Sequence, residues 1–262
     1  FIFGEDPVRT DPNTHHVIKS LESLDFFAID ELFMTETAKL ADVILPGRSY
    51  AEKEGTFSNT ERRVQRVRKA VEIEGDTKPD VTPSFAGISH ERLDSEEVNG
   101  QGLQWPCTSK DHPGTPIMHV GKFARGLGYF RPAAYTPSME LPDEEYPLIM
   151  MTGRILYHYN ACAMTDKTEG INQIAGESFI ELNTEDAQKL GVEDGEMVSI
   201  SSRRGTIQAK AAVSYKTNPG ECWMPFHYIE GGANWLTSDA LDSISSTPEY
   251  KVCTVKVEKI TA

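Results

Sequence analysis

Arginine, histidine, asparagine and carboxylates stand in this chain at points where an apolar run stops. Thr152-Gly153 close the run "YPLIMM"; Arg154 follows directly and His158 stands four residues further on. Glycine beside arginine lets backbone approach a ligand while a planar guanidinium grips it, a pairing suited to phosphate. His158 can donate to a pyrophosphate or a ring nitrogen. Asn234 follows Gly231-Gly232-Ala233 and offers an amide on a loop that a ligand can approach closely. Glu5, Glu31 and Asp80 can accept hydrogen bonds from ribose hydroxyls or a guanine edge. For any single one of these residues an ordinary structural role competes; together they point to a large nucleotide-bearing cofactor spanning two domains.

Self-contained catalytic patterns do not emerge. There is no nucleophile elbow and no phosphate-binding loop, and "GQGLQW" is only a fragment of a dinucleotide fingerprint. The seven histidines form no H-E-x-x-H, and His15 and His16 sit in a polar helix start where water solvates them. Cys107, Cys162, Cys222 and Cys253 are far apart with no C-x-x-C pair, so a zinc or iron–sulfur site within this chain alone is not expected. A reduced, cytoplasmic protein fits such cysteine usage best. The net charge of −14 argues against nucleic acid as a partner, and no apolar run reaches membrane-spanning length.

The elements that must position these groups fall into an alternating part and a strand-rich part. "FIF", "DFFAI" and "DVILP" read as strands. Between them lie a helix capped by Asp11 or Asn13, with Val17, Ile18, Leu21 and Leu24 as its apolar stripe, and a short helix at "TETAKLA". This order predicts a parallel sheet with covering helices, whose ligand-binding strand ends carry Gly4-Glu5-Asp6, Asp30-Glu31 and Gly47-Arg48-Ser49. Arg62, Arg63, Arg66, Arg68 and Lys69 form either a solvated basic strand face or a wall toward an anionic cofactor or partner. From about Gly75 to Pro142 the chain reads as an extended surface excursion, with His112 and His119 serving packing. Then "YPLIMMTG", "SFIELN", "MVSISS", "TIQAKAAVS", "ECWMPFHY" and "YKVCTVKVEKI" supply six strands. The helix "EDAQKL" lies among them, capped by Asn183 or Thr184 and ended by Gly191. Short strands with one helix suggest a small closed β-barrel.

Several long segments carry a family likeness. "GEDPVRTDP", "ELFMTETAKLADVILP", "AEKEGTFSNTERRVQRVRKAVE" and "LQWPC…DHPGTPIMH" resemble the molybdopterin oxidoreductases, and within them the catalytic (alpha) subunit of formate dehydrogenase. "YPLIMMTGRILYHYNACAMT", "LNTEDAQKLGVEDGEMVSISSRRG" and "TPEYKVCTVKVE" resemble that family's carboxyl-terminal dinucleotide-binding domain. The resemblance implies an α/β fold class, a parallel-sheet α/β domain followed by a six-stranded double-psi β-barrel. The implied division is 1–80 for a partial α/β domain, 81–143 for a connecting segment and 144–262 for the barrel.

The same resemblance implies a molybdenum or tungsten ion held by two molybdopterin guanine dinucleotides. Gly153, Arg154 and His158 match the segment that wraps one pyranopterin and its pyrophosphate. Phe226, Asn234, Tyr250 and Lys251 fall where the barrel domain closes over the cofactors. Gly4, Glu5, Asp6, Glu31, Ser49 and Asp80 fall where the α/β domain grips a guanosine. The implied reaction is oxidation of formate to CO2, or CO2 reduction, with electrons passed through iron–sulfur clusters to partner subunits of iron–sulfur, flavin, or hydrogenase or heterodisulfide-reductase type. No catalytic residue and no metal ligand is assigned in this chain.

The family's four-cysteine iron–sulfur motif and its Cys-or-selenocysteine-His element lie upstream of the "GEDP" segment and are not in this sequence, which opens within an apolar strand. The expectation is therefore the carboxyl-terminal portion of a longer catalytic subunit. After Lys78-Pro79-Asp80 the family continues with a Trp and a helix, whereas this chain passes directly to Val81-Thr82-Pro83. Alternatives are another family member, nitrate reductase-like or a subunit of an NADH-oxidising complex, and a non-catalytic structural subunit with the same fold.

Overall fold

The computed structural model describes residues 1–71, 86–123, 126–130 and 132–260. The chain divides into two compact units, one made of Phe1–Pro46 with Tyr135–Ala262 and the other of Gly47–Ala134. This grouping differs from the sequence-based division, because the first strands belong to the same unit as the barrel.

In the first unit, β1 (Ile2–Phe3), β2 (Ala28–Glu31) and β3 (Val43–Pro46) form a parallel sheet in that order, with Ile2 opposite Ile29 and Ile29 opposite Ile44. Helices α1 (Pro7–Thr10) and α2 (Thr14–Glu22) follow β1. Asn13 is the N-cap of α2, its side chain accepting from the His16 N–H, whereas Asp11 ends α1. The expected stripe is shorter than its spacing suggested. Leu21 packs with Phe27, Ile29 and Ala38, but α2 ends at Glu22 and Leu24 is exposed. "TETAKLA" forms only a single 3-10 turn, Ala38–Leu40. Side-chain hydrogen bonds explain it: Thr35 Oγ1 accepts from the Ala38 N–H, and Asp6 accepts from both the N–H and the hydroxyl of Thr37. β3 is exposed along its length, so helices cover only part of this sheet.

The second unit holds β4 (Gly55–Ser58), β5 (Arg63–Val67), α3 (His90–Leu93) and β6 (Leu103–Gln104), with the strands antiparallel in the order β4, β5, β6. Val64, Leu93, Val98 and Leu103 are its core. Arginines of the basic stretch are paired within this unit. Arg62 donates to the Trp105 and Pro116 carbonyls, and Arg66 pairs with Glu54 at 2.8 Å. Arg68 pairs with Asp94. The expected excursion is thus partly folded, with Arg92 binding the carbonyls of Gly87 and His112 across it.

The barrel of the first unit consists of β7 (Leu148–Gly153), β8 (Phe179–Asn183), β9 (Met197–Ser202), β10 (Gly205–Ser214), β11 (Glu221–Pro225) and β12 (Cys253–Lys259). They close in the order β10, β8, β11, β7, β12, β9. Parallel pairs β7–β11 and β8–β10 joined by the antiparallel β8–β11 contact make this the six-stranded double-psi barrel expected from the sequence. Alternating residues such as Met150, Ile180, Leu182, Val198, Ile200, Cys222, Met224 and Val255 point inward and fill it. Helix α4 (Glu169–Ala175), not expected from the sequence pattern, precedes β8, and α5 (Thr184–Leu190) follows it. Asn183 caps α5, its Oδ1 accepting from Glu185, and Gly191 ends it at φ 66°, a conformation glycine adopts without a Cβ penalty.

Candidate functional site

Parallel pairing brings β7 and β11 to an end at one barrel rim, where Gly153 lies opposite Pro225 and the Phe226 N–H donates to the Gly153 carbonyl at 3.2 Å. Arg154 and Phe226 leave the two strands side by side, with the guanidinium carbon 5.4 Å from the ring centroid. Arg154 also donates to Asn160 Oδ1 at 2.9 Å, and no carboxylate pairs with it among the described residues. β12 runs antiparallel to β7, so the residues just before it arrive at the same rim. There the Thr152 hydroxyl donates to the Tyr250 carbonyl at 2.7 Å, and Lys251 Nζ donates to the Thr152 carbonyl. Arg154, Phe226, Tyr250 and Lys251 therefore converge, placing two cations on one edge.

Gly153 is required by close approach. A Cβ there would lie 2.4 Å from Nε1 of Trp223, which backs the strand end. Gly153→Ala is expected to displace that indole and cost about 1–3 kcal/mol of stability, the usual range for overpacking. A urea midpoint combined with tryptophan fluorescence measures it; an unchanged midpoint and spectrum would contradict the packing described.

Residues from the α/β part reach the same rim. Asn234 Nδ2 donates to the carbonyls of Arg9 at 2.9 Å and Thr10 at 3.3 Å, and the Tyr250 hydroxyl donates to the Thr10 carbonyl at 3.0 Å. These bonds satisfy the last carbonyls of α1 and tie it to the barrel. Asp6 is buried, held by Thr37 and 3.6 Å from Arg9 Nε. Gly4 takes φ 62° and donates to the Asp30 carbonyl, Glu5 is exposed, and Glu31 accepts from its own neighbour, the Leu32 N–H, at 2.7 Å. Ser49 lies in the second unit, where Glu52 accepts from its N–H. Asp80 lies outside the described residues.

Beside this rim is a cavity of about 610 Å³, within the first unit, lined by Arg9, His158, Cys162, Asp166, His227 and Tyr228 among others. Arg9 donates to Asp166 at 2.7 Å and approaches Cys162 Sγ at 3.4 Å. Burial opposes its charge, but the bond to Asp166 and the carboxylates around it hold its pKa above the ordinary value. Burial pushes the Cys162 thiol up to about 11, so it is a thiol and not a nucleophilic thiolate at neutral pH.

The two buried imidazoles differ in their bonding. His158 Nε2 is 2.8 Å from the Ala175 carbonyl, which can only accept, so Nε2 carries the proton. Nδ1 lies 2.9 Å from the Thr165 hydroxyl, so both ring nitrogens are engaged. His227 is fully buried, 5.1 Å from His158 between ring centroids, and neither of its nitrogens has a hydrogen-bond partner. Burial, with His158 and Arg9 nearby, pushes its pKa down to about 4.

An unfolded chain would protonate this histidine near 6.5, before the folded one does. Folding stability is therefore expected to fall as pH drops from about 6.5 toward about 4, and His227→Leu should flatten that part of the profile. Equal slopes for both proteins between pH 7 and pH 5 would contradict this.

Sequence reasoning singled out neither Arg9 nor His227. "VRT" directly after a strand-end turn and the paired "HYN" and "FHY" were the available signals.

Residues 148–254 match the family described as the molydopterin dinucleotide binding domain, and residues 1–82 match molybdopterin oxidoreductase. The chain belongs to the molybdopterin oxidoreductases. It is 48% identical over 292 residues to the F420-dependent formate dehydrogenase 2 subunit alpha of Methanococcus maripaludis, covering 99% of this chain and 42% of that one. It is 34% identical over 294 residues to formate dehydrogenase H of Escherichia coli, covering 99% of this chain and 41% of the relative. The chain thus spans less than half the length of these relatives. Its fold resembles that of acetylene hydratase from Pelobacter acetylenicus, with a TM-score of 0.68 at 18% identity, over 98% of this chain and 44% of that one. No helix among the described residues is long and apolar enough to cross a membrane.

Proposed function

We propose that this chain is the cofactor-closing part of a molybdenum or tungsten formate dehydrogenase and that its barrel rim grips molybdopterin guanine dinucleotide. The observation that carries this reading is the convergence of Arg154, Phe226, Tyr250 and Lys251 on one edge. The donor set suits the group. A polyanionic cofactor needs cations and N–H donors where it is desolvated, and its rings need planar, apolar walls. Family membership and the formate dehydrogenase alpha subunits among the relatives support the choice of reaction.

Bound here, the group would supply the metal at which formate is oxidised to CO2, with electrons leaving through iron–sulfur clusters to a partner subunit. The chain's own residues bind and orient. Arg154, steadied by the Phe226 face and Asn160, and Lys251, exchanging the Thr152 carbonyl for a phosphate oxygen, would neutralise the diphosphate. Asn234 and Tyr250 act one step back, holding α1 so that the Gly4-Glu5-Asp6 turn is offered to a guanosine together with Glu31. His158 holds the loop after β7 against α4. The filled barrel keeps these strand ends rigid, so little ordering remains to be done on binding.

The reaction assignment is tested by formate-dependent dye reduction with the full-length protein that contains this chain. Reduction with formate and no activity with nitrate is expected. Nitrate reduction without formate oxidation would overturn the assignment while leaving the cofactor site standing.

A further inference from the structure

We propose that Asn99 is a site of covalent self-modification. Its side-chain amide is lost to attack by the Gly100 nitrogen, and water then opens the ring to an isoaspartyl or aspartyl residue. The site lies in the second unit and its chemistry needs only water, so it is independent of the function proposed above.

The turn that carries the pair sets the geometry. Between α3 and β6 the Gln101 N–H donates to the Val98 carbonyl at 3.0 Å, and both residues inside that bond have positive φ, 46° at Asn99 and 70° at Gly100. This is a type I′ turn, the conformation that Asn-Gly favours. Its central peptide is unbonded: among the described residues the Asn99 carbonyl, the Gly100 N–H and the Asn99 side-chain amide make no hydrogen bond. Both residues are exposed, and a Cβ placed on Gly100 would meet nothing within 4 Å. Rotation of that one peptide plane therefore breaks no hydrogen bond. It converts the turn to its II′ counterpart, with Asn99 ψ at about −120° and Gly100 φ negative. Glycine makes that second change without a steric penalty. At such a ψ the Gly100 nitrogen faces Cγ of Asn99, the approach a five-membered ring requires.

The step balances without an oxidant or reductant. Base removes the Gly100 amide proton, the nitrogen bonds to Cγ, and the Cγ–Nδ2 bond breaks with the leaving group departing as ammonia. Water that cleaves the new Cγ–N bond leaves aspartate. Water that cleaves the original C–N bond leaves a main chain running through Cβ and Cγ, an isoaspartyl residue.

Two comparisons within the chain sharpen the assignment. Asp194-Gly195 has residue types that allow the same ring closure, but it is held. The Gly195 N–H donates to the Ala211 carbonyl at 2.7 Å, and Asp194 Oδ1 accepts from the Val213 N–H at 2.9 Å. Every other asparagine precedes a residue with a side chain, whose Cβ obstructs the attacking nitrogen.

The test uses the full-length protein, folded and denatured, at mildly acidic and mildly alkaline pH. Asn99→Gly is the control, because a Gly-Gly pair keeps the type I′ turn. Peptide mass spectrometry follows amide-to-acid conversion at each asparagine. Methyl acceptance from S-adenosylmethionine, catalysed by a protein isoaspartate methyltransferase, counts the isoaspartyl product. In the folded protein Asn99 is expected to convert about tenfold more slowly than in the denatured chain, the population cost of a non-glycine residue in the II′ region. It should still outpace every other asparagine, accelerate in alkali, and account for the methyl-accepting sites, which Asn99→Gly should lack. Asp194 should form isoaspartate only after denaturation.

The inference is overturned if Asn99 keeps its amide in the folded protein through many half-lives of the denatured chain. Conversion of Asn59 or Asn160 as fast as Asn99 would overturn it too, as would equal methyl acceptance by Asn99→Gly and wild type. Aspartate at position 99 with no isoaspartate would show direct hydrolysis and no ring closure. Isoaspartate at Asp194 in the folded protein, as abundant as at position 99, would show that the unbonded turn peptide does not decide the site.

Discussion

Arg154→Ala is expected to weaken retention of the dinucleotide by about 10- to 100-fold, the equivalent of one or two charge-assisted hydrogen bonds. Arg203→Ala should change it little. Both arginines follow a barrel strand, but their charges are differently engaged. Arg203 pairs with Asp143, donates to the Thr254 hydroxyl and lies over the Tyr146 ring at 4.7 Å, so its charge is already answered. Arg154 is exposed, stacked on Phe226, and bonded only to a neutral amide. Guanine nucleotide remaining after gel filtration, compared between the two variants, measures the difference. Equal losses would show that the rim beside Phe226 is not where the phosphates bind.

Glu140→Ala should cost about 3 kcal/mol of stability, the scale seen when one partner of a buried ion pair is removed. Glu140 accepts from both terminal nitrogens of Arg204 and from the Thr254 N–H at 3.1 Å, and both charged side chains are largely buried. Burial opposes ionisation of Glu140, yet the Arg204 and Thr254 bonds outweigh it and hold its carboxyl below the usual value. The carboxylate thus favours folding above the unfolded pKa of 4.5, and that contribution is lost as pH falls through the lowered folded value. In Glu140→Ala the Arg204 guanidinium would remain buried beside the Leu236 carbonyl without its counter-charge. Pairing Glu140→Ala with Arg204→Met should recover much of the loss, because an unpaired charge and not the missing contact is the main penalty. Urea midpoints for the two single variants and the double variant decide this. A double variant as unstable as the sum of the singles would contradict it.

What was legible in the sequence was local or periodic. Asn183 and Gly191 bound α5 because caps are chosen by chemistry within a few residues. The alternation in "YPLIMMTG" and "TIQAKAAVS" reports which side chains face the barrel core. The helix expected at "TETAKLA" shortened to one turn because Asp6, some thirty residues earlier, captures Thr37, and no local pattern reveals such a bond. The site shows the same limit. The strand end at Gly153-Arg154 was readable, since a break in an apolar run is visible directly. The resemblance places Asn234 and Tyr250 near the cofactors, but only the folded chain shows that the Asn234 amide and the Tyr250 hydroxyl donate to carbonyls of Arg9 and Thr10 more than 220 positions away. The contrast between His158, bonded through both nitrogens, and His227, bonded through neither, arises from tertiary packing that no local pattern reveals.

The central claim is that the first unit closes on pterin nucleotides at the barrel rim. Its most direct test is to denature the purified full-length protein in acid, quantify released guanine nucleotide, and determine molybdenum and tungsten on the same sample. The account predicts two guanine nucleotides for each atom of molybdenum or tungsten, both reduced together in Arg154→Ala. Native protein that releases no guanine nucleotide and contains neither metal would contradict it.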